Sequence, residues 1–119
     1  MKVIRLGELM SRSATNPNEQ NSDRIVDEND SASKLRAMFA IVPRGLSGTK
    51  LHYHTERESL ILVLSGEGKE IVDGREYPLK ANDLIFIRPN ERHKIQNVGT
   101  TELKYLEISS FPSDSIVVE

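Results

Sequence analysis

From Leu35 onward the chain consists of short apolar runs separated by turn residues, and this rhythm limits the fold more than any other feature. Runs of four to eight residues bounded by Gly, Pro, Asn and Asp describe strands of an antiparallel sandwich or barrel. The firmest local signal is Asp73-Gly74, flanked by Lys69 to Val72 and Arg75 to Leu79. Both central residues of a type I′ turn need positive φ, which Asp-Gly supplies, so a hairpin is expected there. Other expected strands are Leu35 to Val42, stopped by Pro43-Arg44-Gly45, then Lys50 to His54, Leu84 to Ile87 and Lys94 to Asn97. Leu103 to Ile108 is expected as the last, after a turn at Gly99-Thr100. Leu60 to Leu64 is apolar at every position and fits a strand buried on both faces or a barrel wall, closed by Gly66-Glu67-Gly68. No helix is expected, and Glu8 to Arg12 is at most a turn.

Residues 1–34 differ in composition. Between Ser11 and Lys34 only Ala14, Ile25, Val26 and Ala32 are apolar, too little to order the segment by itself. It is expected to be a solvated arm or long loop, with a lid or partner-clasping arm as the sharper alternative. Before it, Met1 to Leu6 is expected as a strand borrowing a sheet edge, within the chain or on a second subunit. The expected organisation is a strand and polar arm over 1–34 and a barrel over 35–119.

Composition excludes several functions. With no cysteine in 119 residues there is no disulfide framework, thiol nucleophile or cysteine metal site, so any metal must be held by nitrogen and oxygen. A net charge of -2 and a pI near 5.9 leave no basic surface for a phosphate backbone, so nucleic acid is not an expected partner. The first residues lack a signal-peptide apolar core and no later run approaches membrane-spanning length. A soluble cytoplasmic protein is expected.

The chain has three histidines, His52, His54 and His93. Strand alternation points His52 and His54 to one face and Tyr53 to the other, so the pair can share one ion. The segments carrying them read Gly48-Thr49-Lys50-Leu51-His52-Tyr53-His54-Thr55-Glu56-Arg57-Glu58, and Asn82-Asp83-Leu84-Ile85-Phe86-Ile87-Arg88-Pro89-Asn90-Glu91-Arg92-His93 followed by Lys94-Ile95-Gln96-Asn97. Together they resemble the two signature motifs of the cupin superfamily, a resemblance covering about residues 35 to 110. It implies an all-β fold, a single antiparallel double-stranded β-helix or jelly-roll barrel with a polar N-terminal arm. It also implies that His52, His54, Glu58 and His93 ligate one divalent transition metal, Fe, Mn, Ni, Co or Zn.

The segments depart from the family pattern in three places. Asn82 and Asn90 stand where glycine is usual, and asparagine tolerates the left-handed backbone those turns need. Arg88 precedes Pro89 where the family has proline, and Pro89 still ends the strand. Seven residues rather than six separate Glu58 from Gly66, so a strict count back from Gly66 reaches Ser59. Either a bulge restores Glu58, giving a site of net +1, or the centre has three imidazoles at net +2, resembling the three-histidine iron centres of cupin thiol dioxygenases.

A cationic centre favours an anionic small molecule bound through oxygen, with Arg44, Lys50 or Arg88 adding positive charge at the mouth. Tyr105 and Glu107, on one face of the last strand, are the candidate acid–base groups beside Glu58. Glu56, Arg57, Glu91 and Arg92 are expected as solvated loop charges, Tyr53 outside, and Phe39 and Phe86 in the core. Fold analogy does not select a reaction. A metalloenzyme of dioxygenase or isomerase type is the first expectation; a non-catalytic module binding or sensing a small ligand such as a sugar is the alternative. No DNA-binding helical domain or second barrel is seen, which argues against a regulator or a storage protein, and the resemblance implies a homodimer.

Overall fold

The computed structural model describes residues 1–110 and 114–119. In chain order the elements are α1 (Leu6–Met10), β1 (Asn21–Val26), β2 (Leu35–Val42), β3 (His52–Tyr53), β4 (Ser59–Ser65), β5 (Glu67–Val72), β6 (Arg75–Lys80), β7 (Leu84–Ile87), β8 (His93–Asn97), β9 (Leu103–Ser110) and β10 (Ile116–Val117), with a short 3-10 turn at Glu28–Asp30. The strands form two five-stranded antiparallel sheets, β1-β2-β9-β4-β7 and β10-β3-β8-β5-β6. Packed together they make the expected jelly-roll barrel.

The β5–β6 hairpin forms where Asp73-Gly74 placed it, with φ of 48° and 82°, pairing Val72 with Arg75 and Glu70 with Tyr77. Asn82 and Asn90 take φ of 74° and 68°, the left-handed role their substitution for glycine requires. Gly66, at φ 87°, closes β4 where a Cβ would lie 2.4 Å from the Glu102 carbonyl oxygen, so no larger residue fits without movement. The motif's Asn97 is buried; its amide donates to the carbonyls of Val42 and Thr101, at 2.9 and 2.8 Å, and its Oδ1 accepts from Gly99 N–H. That side chain therefore ties the end of β2 to the Gly99-Thr100 turn.

Alternation fills the space between the sheets with Ala40, Val42, Ile61, Val63, Leu79, Ile87, Ile95, Leu103 and Tyr105. The opposite phase leaves apolar residues on the outer face of the first sheet. Phe39 and Ile41 are covered there by Leu9, with Ile4 and Leu6 packed against them. This need for cover accounts for the first departure from expectation: residues 1–5 form no strand, and Leu6–Met10 is a helix whose Leu6 and Leu9, three apart, share one face. Phe39 is thus buried, but outside the barrel.

The polar segment is ordered by backbone pairing rather than by apolar burial. β1 runs antiparallel to β2 from Asn21 opposite Ile41 to Val26 opposite Ala37, adding a strand where an arm or loop was expected. The chain also continues past the expected last strand, with β10 returning along β3.

Two further expectations are corrected on the outer face. Phe86 is 44% exposed, because β7 turns Ile87 inward and Leu84 and Phe86 outward. β4 is not buried on both faces: Ser59, Ile61 and Val63 point in, while Leu60 is exposed opposite Phe86 and Ile108. Leu60, Leu84, Phe86 and Ile108 leave an exposed apolar surface there, with the Arg88 guanidinium over the Phe86 ring at 5.2 Å.

Candidate metal centre and ligand pocket

The inner face of β3 and β8 assembles the histidines. His52 pairs directly with His93 across the two strands, and His54 follows two residues along the same face. Their ring centres lie 4.3 to 5.4 Å apart, and one ligand nitrogen from each falls within 4.8 Å of the others. Metal–nitrogen bonds of about 2.1 Å put neighbouring ligands of one ion about 3.0–3.4 Å apart, so the rings must close by up to about 1.5 Å around it.

Backbone carbonyls fix how the rings present themselves. Nδ1 of His52 faces the Lys50 carbonyl at 2.7 Å, Nδ1 of His93 the Glu91 carbonyl at 2.8 Å, and Nδ1 of His54 the Asp114 carbonyl. A carbonyl only accepts, so each neutral ring carries its proton on Nδ1 and offers a lone pair on Nε2. Burial holds His93 well below the ordinary imidazole range, at about 4, and pushes His54 in the same direction. Nε2 of His54 is buried without a hydrogen-bond partner among the described residues. Neutral imidazoles oriented by carbonyls, one with an orphaned lone pair, are the donor set a divalent transition metal requires.

Glu58 lies outside this group. It is exposed, immediately before β4, and its backbone bonds to Ser110 through its amide and its carbonyl. A register shift between Val63 and Ser65 absorbs the extra residue next to Gly66 and leaves the inward phase to Ser59. Of the two readings open in the sequence, the geometry matches the three-histidine centre.

The histidines open on a cavity of about 290 Å³ whose other charged or titratable lining residues are Arg57, Glu70, Tyr105 and Glu107. Arg57 was expected as a surface charge. Instead its side chain is 13% exposed, donates from Nε to Ser59 Oγ at 3.0 Å, and is ion-paired with Glu107. It is the cation that lines this cavity, where Arg44, Lys50 and Arg88 do not, but Glu107 balances its charge. Tyr105 is fully enclosed, and burial first, then the Glu107 charge, pushes its hydroxyl far above the usual phenol range. It donates to Gln20 Oε1 at 3.1 Å. Tyr105 and Glu107 therefore do face the site, but each already has a protein partner.

Glu70 is a buried titratable side chain of this cavity that the sequence reading missed. It is 1% exposed, and neither carboxyl oxygen has a hydrogen-bond partner among the described residues. Desolvation first, then the Glu107 charge, raises it to about 8, which favours the protonated form at neutral pH in the metal-free protein. The hairpin register would have found it, since Gly68, Glu70 and Val72 share a face and Val72 opposes His93. Asp114 was also missed. Its carboxylate binds the Thr55 amide and hydroxyl, at 3.0 and 2.7 Å, which clamps the carbonyl that orients His54. Tyr53 points away, under the Arg92 guanidinium at 5.7 Å. Glu56 is exposed, and Glu91 accepts from the Arg88 amide.

A larger hollow, about 590 Å³, lies between residues 12–23 and the outer side of β2. It shares Gln20 and Ser22 with the histidine cavity but includes none of its histidines, Arg57, Glu70, Tyr105 or Glu107.

The Cupin domain family (Cupin_2) matches residues 38–109, most of the chain, and the chain belongs to that family. An uncharacterised protein of Methanocaldococcus jannaschii is 42% identical over 67 residues, 56% of this chain and 53% of that protein. An oxalate-binding protein of Thermotoga maritima is 36% identical over 76 residues, 64% of this chain and 61% of that protein. The matches thus span less than two thirds of either relative. Among solved structures, the polyketide cyclase RemF of Streptomyces resistomycificus superposes with a TM-score of 0.80 at 22% identity, covering 100% of this chain and 86% of that one. At that identity the likeness shows the fold. Among the described residues no helix is long and apolar enough to cross a membrane.

Proposed function

We propose that His52, His54 and His93 hold one divalent transition metal, Fe, Mn, Ni, Co or Zn, through Nε2, and that the cavity beside it takes a small anionic molecule through oxygen. The observation carrying this is the convergence of three ligand nitrogens within 4.8 Å on rings whose other nitrogens are committed to carbonyls. With three uncharged imidazole ligands and an Arg57–Glu107 pair that cancels, the metal's double positive charge is not neutralised by its own ligands in a largely buried cavity. That charge selects an anion. The Thermotoga relative is an oxalate-binding protein, which supports the same ligand class.

The bound metal would supply Lewis-acid polarisation of ligand oxygens or, for a redox-active ion, oxygen chemistry. The chain's own contribution is orientation of the imidazoles, a low-dielectric pocket walled by Ile61 and Ile95, and a buried acid at Glu70. In the enzymatic form of the proposal the protein is a metalloenzyme of dioxygenase or isomerase type. A non-catalytic ligand-binding or sensing module is the second reading. It is favoured by the engagement of Tyr105 with Gln20 and of Glu107 with Arg57, which leaves neither free to shuttle protons.

Metal-loaded protein titrated with oxalate and then assayed for oxygen consumption and product formation separates the readings. Binding with turnover supports the enzyme; binding without it supports the module. No binding by any loaded form removes the anionic-ligand proposal. A homodimer in the cytoplasm is the proposed assembly, supported by the apolar outer face around Leu60 and Phe86 rather than by exchange of an N-terminal strand. Light scattering giving twice the 13.4 kDa chain mass would support the dimer.

A further inference from the structure

Burying a carboxyl without a hydrogen-bond partner is destabilising, yet the barrel keeps Glu70 without one among the described residues, beside its histidines. The residue lines the histidine cavity and also a second hollow, of about 360 Å³, bordered by β6 and β7. Charges and titratable groups surround it on every side. From β9 come Glu107 and Tyr105, and from the loop before β4 comes Arg57, which is already paired with Glu107. Toward the second hollow lie Tyr77, Arg88 and Glu91.

Strand register gives the distance from the metal centre. β5 pairs with β8 so that Val72 opposes His93 and Glu70 opposes Ile95. Glu70 is therefore one inward step past the histidine level, about 7 Å along the strand. It is also outside the three-histidine cluster, so it is not placed as a ligand. A small anion held at the histidines by two oxygens would extend its remaining oxygens toward this level.

We infer that Glu70 is the residue that reads the distal oxygens of the bound anion, donating its carboxyl O–H to an acceptor on the far side from the metal. This rests on the anionic-ligand reading above and narrows it. The preferred class is a small dicarboxylate or 2-oxo or 2-hydroxy acid, with oxygen acceptors beyond those the metal engages, over a simple monocarboxylate. A carboxylic acid suits this task because it gives a hydrogen bond to an anion without adding a negative charge that would repel it. It also accounts for a polar group with no partner among the described residues, since the partner would arrive with the ligand.

The test uses full-length protein loaded with Co(II), whose visible spectrum reports the arrival of an anion. Wild type, Glu70→Leu and Glu70→Gln are titrated with oxalate and, separately, with acetate. All three proteins should carry the same Co(II) per chain and melt cooperatively. Oxalate affinity should fall about tenfold or more in Glu70→Leu, with acetate affinity unchanged, and should be largely restored in Glu70→Gln, whose amide keeps a donor. Equal oxalate affinity in wild type and Glu70→Leu overturns the assignment. So does a parallel loss for both anions, a Glu70→Gln variant no better than Glu70→Leu, or loss of Co(II) from the variants. If neither anion perturbs the wild-type spectrum while Co(II) stays bound, the anionic-ligand reading itself fails and this assignment fails with it.

Discussion

Replacing Glu70 by Gln should stabilise the metal-free protein progressively as pH rises above neutrality. The carboxyl is 1% exposed and titrates at about 8 in the fold, against 4.5 when unfolded. Between those values the native state keeps a proton that the unfolded chain releases. Stability therefore falls with rising pH, by about 1.4 kcal/mol per unit for one proton. His93 runs the other way: its folded value of about 4 lies below the unfolded 6.5, so it favours the native state at high pH and loses that contribution as pH falls from 6.5 toward 4. The two slopes oppose each other below pH 6.5. Above it, Glu70 outweighs what remains of the histidine contribution, and from pH 6.5 to 8 wild type should lose roughly 1 kcal/mol. Glu70→Gln has no such proton and should stay flat or rise slightly. Urea unfolding of chelator-stripped protein at pH 6.5, 7.2 and 8 measures both slopes. A flat wild-type profile, or the same slope in Glu70→Gln, would refute the argument.

Other substitutions test the surroundings of the site. Glu58→Gln should leave metal stoichiometry and affinity unchanged, read by competition with a chromogenic chelator, because Glu58 is an exposed residue outside the cluster. Asp114→Ala removes the clamp on Thr55 and should weaken metal binding by about tenfold in the same assay, through looser orientation of His54. Asn97→Ala leaves the Val42 and Thr101 carbonyls without their donor and should cost about 2–3 kcal/mol by denaturant unfolding.

The barrel was legible because its signals are local. Asp73-Gly74 fixes a hairpin by backbone sterics alone, and the apolar runs after Leu35 mark strands by their length and boundaries. The histidines were legible because alternation on β3 and the offset to His93 require no knowledge of packing. Glu58 was harder to place, since one extra residue before Gly66 can be absorbed at either end of β4, and only the register with β9 shows it absorbed near Leu64. Arg57 and Glu70 look in sequence like surface charges on a loop and a hairpin. Their burial depends on partners far along the chain, Glu107 for one and the β8 register for the other. The N-terminal segment was misjudged for a related reason. Its strand borrows backbone partners from β2, and its helix answers a patch at Phe39 and Ile41 that exists only once the sheet has formed.

Elemental analysis of untagged protein purified without chelators, beside a His52→Ala, His54→Ala double variant, tests the central claim most directly. The account predicts about one Fe, Mn, Ni, Co or Zn per chain in wild type, lost from a variant that still melts cooperatively. A wild type with no metal and no uptake when these ions are added back, or a double variant that retains its full complement, would contradict it.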